Sequence, residues 1–226
     1  MNLSQHYNQL YSESSKIILE ENYHLDNQIN DPLDNRRGIT LLIRPSETIK
    51  ASIQSLLNEL TAIEPSQYFY PPSDIHITVL SIISCYDAFT LNKIKSKDYI
   101  EIITKTLIDL DNITIKFKGV TASSAAIMVQ GFPTDDSLHN FRNKLRENFK
   151  KSALEQSIDS RYSIATAHST VMRFQEKLEN PKQLLEVTNK FRDYNFGEFN
   201  VKNLELVYND WYQREENTIH LADFII

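Results

Sequence analysis

The sequence predicts a two-lobed fold of mixed helices and strands, because the same order of elements is found twice along the chain. Each copy contains a strand that ends at a proline, a helix, a strand that carries the pattern His-x-Thr-Val, a second helix and a further strand. The repeated order predicts two similar lobes that pack about an approximate two-fold axis. A chain of 226 residues with 41% hydrophobic content is long enough to bury the core of such a domain.

Each predicted element rests on its own pattern of apolar, polar and turn-forming residues. Helices are predicted where apolar residues recur at helical spacing, and strands where apolar runs or alternation are bounded by turn residues. The first copy comprises a buried strand at 39–43, a helix at 46–63, the motif strand at 74–83, a helix at 98–110 and a strand at 113–120. The second comprises strands at 126–132, 163–174, 199–208 and 217–226, with helices after Asp136 and at 181–194.

These copies divide the chain into an extension and one two-lobed domain. We expect the first lobe at about 38–122 and the second at about 123–226, with residues 1–37 laid on the main fold as an extension. Apolar residues at roughly helical spacing predict a helix in the extension from about Ser4 to Glu21. His6 and His24, which lie in the extension without ligand-like spacing, are expected at the surface.

Composition limits the partners of the protein. The formal net charge of −6 argues against a broad surface for long duplex nucleic acid, although a local pocket for a short anion remains compatible with it. The N-terminus lacks an export signal and no segment is apolar enough to span a membrane, so we expect a cytoplasmic protein, and we expect it to be a monomer. Cys85 is the single cysteine, which excludes an internal disulfide.

Two short segments carry the residues suited to chemistry. His76-Ile77-Thr78-Val79 and His168-Ser169-Thr170-Val171 share the pattern His-x-Thr-Val, and they occupy equivalent points of the two predicted copies. Side chains two residues apart on a strand point to the same face, so each histidine is expected beside its threonine. Two similar lobes would bring the pairs face to face across a cleft.

With these paired motifs the sequence resembles the two-histidine phosphoesterase superfamily, which includes 2′-5′ RNA ligase-like and cyclic nucleotide phosphodiesterase proteins. The resemblance covers about residues 38–226. It implies an α+β, bilobal fold with two pseudo-symmetric strand-helix lobes and antiparallel-rich sheets around a central cleft. It further implies a substrate that is a small nucleotide or an RNA end.

The chemistry of the motifs fits a phosphodiester. One imidazole can take a proton from water while the other gives one to the leaving oxygen, since imidazole titrates near neutral pH. The hydroxyls of Thr78 and Thr170 can donate hydrogen bonds to phosphoryl oxygens. We therefore predict His76 and His168 as catalytic residues, without a metal or other cofactor. None of the four glycines forms a phosphate-cradling loop, so a nucleoside triphosphate is not implied.

Four further residues are candidates for substrate binding. Arg173 matches a basic position that the superfamily often carries after its second motif, although strict alternation would point it away from Thr170 unless the strand contains a bulge. Tyr70 and Tyr162 could stack on a base or sugar, and Trp211 lies in a loop that could close over the cleft.

Several alternatives to hydrolysis stay open at this point. The same paired histidines can catalyse the ligation of RNA ends. The motifs could also serve a non-catalytic nucleotide- or RNA-binding module, or both could be core residues of an interaction protein. A zinc site at His76 and His168 is disfavoured, because no third ligand stands at recurrent spacing.

Overall fold

A computed structural model describes residues 2–108, 110 and 112–226. Five helices and nine strands are present in this part of the chain. The helices are α1 Leu3–Leu19, α2 Glu47–Ile63, α3 Ser96–Leu107, α4 Ser137–Lys151 and α5 Pro181–Lys190. The strands are β1 Arg37–Ile43, β2 Tyr68–Phe69, β3 Ile77–Tyr86, β4 Thr114–Ala122, β5 Ala126–Pro133, β6 Ser169–Arg173, β7 Asn195–Asn200, β8 Asn203–Asp210 and β9 Ile219–Ile225.

The strands form two antiparallel sheets, one in each lobe. The first has the order β3-β1-β8-β9 and the second the order β2-β6-β5-β4-β7. Each motif strand pairs with the first strand of its own copy, β3 with β1 and β6 with β5. The α+β fold with antiparallel sheets that the resemblance implied is therefore confirmed.

The sheets do not divide the chain where the sequence suggested. β4 was expected in the lobe at 38–122 but pairs with β5 and β7, while β8 and β9 from the second half pair with each other and β1. The alternating segment at 199–208, expected as one strand, is two strands in different sheets. Each lobe is thus built from both halves of the chain, and the boundary near residue 122 is corrected.

Helix α1 packs as the sequence predicted for the extension. The side chain of Asn2 accepts a hydrogen bond from the Gln5 amide and caps the helix, as short polar side chains do at helix starts. Tyr7 and Ile18 are fully buried, at 1% and 0% exposure. None of the helices in the described residues is long and apolar enough to cross a membrane.

Candidate active site

Both motif histidines lie immediately before their strands rather than within them. His76 precedes β3 and His168 precedes β6, so each imidazole stands at the start of a strand whose first residue is buried. Gly131 allows the chain before β6 to run close to β5, because a Cβ at this position would lie 2.0 Å from the Ala167 carbonyl oxygen. These local constraints fix where the two rings enter the cleft.

A bulge follows the threonine of each motif. In β6, Thr170 pairs with Met128 and Arg173 pairs with Ala126, so Val171 is the extra residue. Residues 126 and 128 share one face of β5, and the bulge therefore brings Arg173 to the same face as Thr170. This is the irregularity that a role for Arg173 required.

The other motif strand contains the equivalent bulge. Thr78 pairs with Leu42 and Ser81 pairs with Thr40, which leaves Val79 as the extra residue. Ser81 consequently occupies the position in β3 that Arg173 occupies in β6. The local two-fold relation thus extends beyond His and Thr to the side chain three positions after each threonine, although the chemistry there differs: a hydroxyl on one side and a guanidinium on the other.

One cleft, with a cavity volume of about 120 Å³, is lined by all eight residues predicted for the site. These are His76, Thr78, His168, Thr170, Arg173, Tyr70, Tyr162 and Trp211. The structure therefore brings the two motifs together from separate sheets. Their roles in binding or catalysis remain proposals.

The two imidazoles are held by different partners. His76 Nδ1 lies 2.7 Å from the Asp74 carbonyl oxygen, which can only accept a hydrogen bond. His168 Nδ1 lies 2.7 Å from Thr166 Oγ1, a hydroxyl that can donate or accept. In both rings Nδ1 is occupied, and Nε2 is the nitrogen left for a substrate.

Burial in the cleft keeps both rings neutral in the free protein. Desolvation is the main cause that lowers the pKa of His76 to about 3; the bond to the Asp74 carbonyl opposes this shift, and the positive charge of Arg44 adds to it. Desolvation lowers the pKa of His168 to about 4, with Arg142 and Arg173 contributing. The surrounding cations favour an anion in the cleft, and a bound anion would raise both pKa values.

Arg173 and Tyr70 form a pair at the cleft. Arg173 Nε donates to the Tyr70 hydroxyl at 2.8 Å, and its Nη1 lies 3.6 Å from Asp26 Oδ2. Tyr70 is only 1% exposed, so its ring does not offer the open stacking surface expected from the sequence. Its position instead fixes the guanidinium of Arg173.

The two aromatic candidates at the rim differ in exposure. Tyr162 is 66% exposed and therefore free to contact a ligand. Trp211 is half-buried, with the guanidinium carbons of Arg36 and Arg161 at 5.3 and 4.5 Å from its ring centroid. Cation–π contacts of this kind hold the indole in place at the cleft.

Arg142 on α4 joins the two motifs, and the sequence reasoning missed it. Its guanidinium is buried and donates to the carbonyls of Val79 at 2.8 Å, Thr78 at 2.7 Å and Thr166 at 2.9 Å. A bulge disrupts the strand ladder, and Arg142 supplies donors to the carbonyls at the β3 bulge. Ser169 Oγ also donates to the His76 carbonyl at 2.8 Å, so a direct hydrogen bond joins the two motifs.

The other histidines and the cysteine also have defined positions. His6 is half-buried and borders His168, which corrects the expectation of a surface residue. His24 is exposed, and Cys85 is buried at the cleft with Asn209 as its neighbour. Across the described residues, no group of three or more His, Cys, Asp or Glu side chains could hold a metal ion.

Comparison with known families decides the relationship that the cleft suggests. A family profile described as the AKAP7 2′5′ RNA ligase-like domain matches residues 42–217, which is most of the chain. The chain belongs to this family. It is accordingly a member of the two-histidine phosphoesterase superfamily. No curated protein sequence matches the chain significantly.

Solved structures share the fold of this chain at low sequence identity. TT0787 of Thermus thermophilus has a TM-score of 0.59 and 14% identity, covering 84% of this chain and 97% of its own. E. coli LigT complexed with 3′-AMP gives the same TM-score and identity, covering 84% and 98%. Protein ATU0111 from Agrobacterium tumefaciens has a TM-score of 0.58 and 13% identity, covering 93% and 98%.

Proposed function

We propose that this protein is a metal-independent phosphoesterase that hydrolyses a 2′,3′-cyclic or 2′-5′ phosphodiester of a nucleotide or RNA end. The observation that carries the proposal is the meeting of His76, Thr78, His168 and Thr170 in one cleft, with Nδ1 of each ring already engaged. Structures of E. coli LigT with 3′-AMP and with phosphate give further support, since that protein binds such groups on the same fold.

The hydrogen-bond partners of the rings support an assignment of the roles of base and acid. The Asp74 carbonyl requires a proton on His76 Nδ1, so the neutral ring has its lone pair on Nε2 and His76 is the base. The Thr166 hydroxyl can accept from a protonated His168, whose Nε2–H then faces the substrate as the acid. The negative phosphodiester favours this protonated state once it is bound.

In the proposed reaction, a water oxygen attacks phosphorus and gives its proton to His76 Nε2. The bond from phosphorus to the leaving oxygen breaks, and that oxygen takes the proton from His168 Nε2. The products are a phosphate monoester and a free hydroxyl. Hydroxyls of Thr78 and Thr170, together with the Arg173 guanidinium, stabilise the negative charge on the non-bridging oxygens.

A substrate panel tests this proposal. Purified protein in excess EDTA is incubated with 2′,3′-cyclic nucleotides, 2′-5′ dinucleotides, matched 3′-5′ dinucleotides, and RNA carrying a 2′,3′-cyclic phosphate together with a 5′-hydroxyl acceptor. We expect turnover of a cyclic or 2′-5′ substrate that chelation does not reduce, because side chains supply each role that a metal would fill.

Two results would contradict the proposal. Activity that EDTA abolishes and one divalent ion restores would show metal-dependent chemistry. Joined RNA as the main product, with no hydrolysis of the cyclic phosphate, would assign the cleft to ligation.

A further inference from the structure

Helix α1 completes a second cavity beside the catalytic cleft. His6, Tyr7 and Leu10 of α1 form one wall, and the cavity shares four lining residues with the cleft: Thr78, Tyr162, Ile164 and His168. Its volume is about 320 Å³, larger than the cleft itself. The family profile begins at residue 42, so this wall comes from a part of the chain that the profile does not cover. We call this cavity the α1 pocket.

The lining of the α1 pocket differs in character from that of the cleft. Leu10 and Met128, which do not line the cleft, join Ile164, which lines both cavities, in a largely apolar wall, and the exposed ring of Tyr162 stands where the two cavities meet. Pockets with an apolar lining and a few polar groups, at volumes of roughly 300 Å³ and above, suit small organic ligands. A nucleoside, with its flat base and polar sugar, has that chemistry, whereas a phosphate alone does not.

The wall that α1 provides is fixed rather than loosely laid on the domain. The Tyr7 hydroxyl donates to the Gly131 carbonyl at 3.1 Å, and Thr121 Oγ1 donates to the Tyr7 carbonyl at 3.0 Å. Farther along the helix, the Tyr11 hydroxyl lies 3.0 Å from Thr188 Oγ1. A pocket held in this way needs little ordering when a ligand enters, which favours binding.

We infer that the α1 pocket binds the leaving nucleoside of the substrate, so that the preferred phosphodiester carries one nucleoside on each side of phosphorus. The inference rests on the proposed function, in which His168 protonates the leaving oxygen. His168 lines both cavities, and a nucleoside attached through that oxygen therefore extends from the cleft into the α1 pocket. A 2′,3′-cyclic mononucleotide has no second nucleoside and does not need the pocket.

Filling the pocket tests the inference. Leu10→Trp places a large ring in the α1 pocket, and kcat/KM is measured for a 2′-5′ dinucleoside monophosphate and for a 2′,3′-cyclic mononucleotide. We expect a loss of about tenfold or more for the dinucleotide and a change of less than about twofold for the cyclic substrate, since only the first must enter the pocket. Gln9→Trp is the matched control, because Gln9 is exposed on the same helix.

A second variant guards against misfolding. Leu10→Ala removes the contact while keeping a strong helix former, and it should lower kcat/KM for the dinucleotide alone by about threefold to tenfold. Equal losses for the two substrates in both Leu10 variants, or an unchanged dinucleotide rate, would overturn the inference that the α1 pocket binds the leaving nucleoside. Either result would leave the proposed function intact. Turnover of neither substrate by the wild-type protein would instead remove the proposed function, and the inference with it.

Discussion

The two histidine rings have different hydrogen-bond partners in the cleft. One Nδ1 meets a carbonyl and the other a hydroxyl, and in the proposed reaction this difference is the reason that His76 is the base and His168 the acid. Both rings have a lowered pKa in this position, because burial disfavours the charged form. The free protein is therefore most stable when both are neutral.

This pKa shift predicts how stability depends on pH. The unfolded chain binds protons at histidine below about pH 6.5, whereas the folded rings resist protonation until about pH 3 to 4. Above about pH 6.5 these rings are neutral in both states, and their protonation does not reduce the free energy of unfolding. Below that pH the free energy of unfolding falls, by up to about 1.4 kcal/mol per pH unit for each ring, because the unfolded chain binds protons that the folded rings do not. Thermal unfolding between pH 7 and 4 measures the slope.

Variants isolate the contribution of each ring from that of the other titrating groups. His76→Ala and His168→Ala should each lose stability less steeply than the wild-type protein as the pH falls from about 6.5 to 4. His24→Ala, whose side chain is exposed, should keep the wild-type slope. Parallel curves for the wild type and both cleft variants would show that the rings are not desolvated in the folded state.

Individual cleft residues could be predicted where a sequence motif contains them. They could not be predicted where only the three-dimensional fold brings them to the cleft. His-x-Thr-Val identified four cleft residues, but His6 has no motif partner in the sequence. Its signal is the spacing to Leu10, because residues four apart share one face of a helix. The docking of α1 decides which neighbour that face contacts. The helical period of the sequence does not reveal how the helix docks.

The bulges in β3 and β6 are the element-scale feature that directs side chains of the two sheets towards the cleft. A bulge after each threonine turns the side chain three residues later towards the cleft, and Arg142 satisfies carbonyls at the bulge in β3. Arg142 lies four residues after Leu138, on the buried face of α4. That spacing was the available signal, although a charged side chain is seldom expected on a buried stripe.

Removing the donors of Arg142 should therefore destabilise the fold and the site together. Arg142→Met keeps much of the side-chain volume but leaves one buried and two part-buried carbonyls without this partner, and we expect a loss of roughly 3 kcal/mol in the free energy of unfolding. Denaturant unfolding measures the loss. Lys150→Met, at an exposed position of the same helix, is the control and should change stability little.

The activity of Arg142→Met shows whether Arg142 holds the two motifs in position or contributes to packing alone. With the β3 bulge unsupported, turnover per folded molecule should also fall, because Thr78 and His76 lose one of the links that hold them relative to His168, although the hydrogen bond from Ser169 to the His76 carbonyl stays. Wild-type stability in Arg142→Met, or full turnover in the folded fraction, would contradict the role assigned to this residue.

Strand pairing across the whole molecule explains where the sequence reasoning failed. Alternation at 199–208 predicted one strand, and nothing in a period of two says that the chain leaves one sheet and enters the other near Val201 and Lys202. Long-range pairing decides sheet membership, so the internal repeat predicted most of the elements but missed β2 and assigned β4, β8 and β9 to the wrong lobes. The motif strands were placed correctly because each pairs with a strand of its own copy.

Exchange of strands between the halves of the chain has a consequence for the cleft. Each sheet depends on segments from both halves, so neither lobe is a contiguous piece of sequence that contains its own histidine and its complete sheet. The two motifs are further joined by Ser169 and Arg142. We therefore regard the cleft as a property of the whole domain, in which the two rings act as one unit.

Turnover by single-histidine variants tests that claim most directly. The rate on the best substrate of the panel is measured in excess EDTA for the wild type, His76→Ala, His168→Ala and the control His24→Ala, with folding checked by circular dichroism. In the proposed reaction each ring carries one of two proton transfers, so we expect either cleft variant to lose about 10²- to 10⁴-fold in kcat, with the control unchanged. Near wild-type turnover by a folded His76→Ala or His168→Ala protein would contradict the two-histidine account.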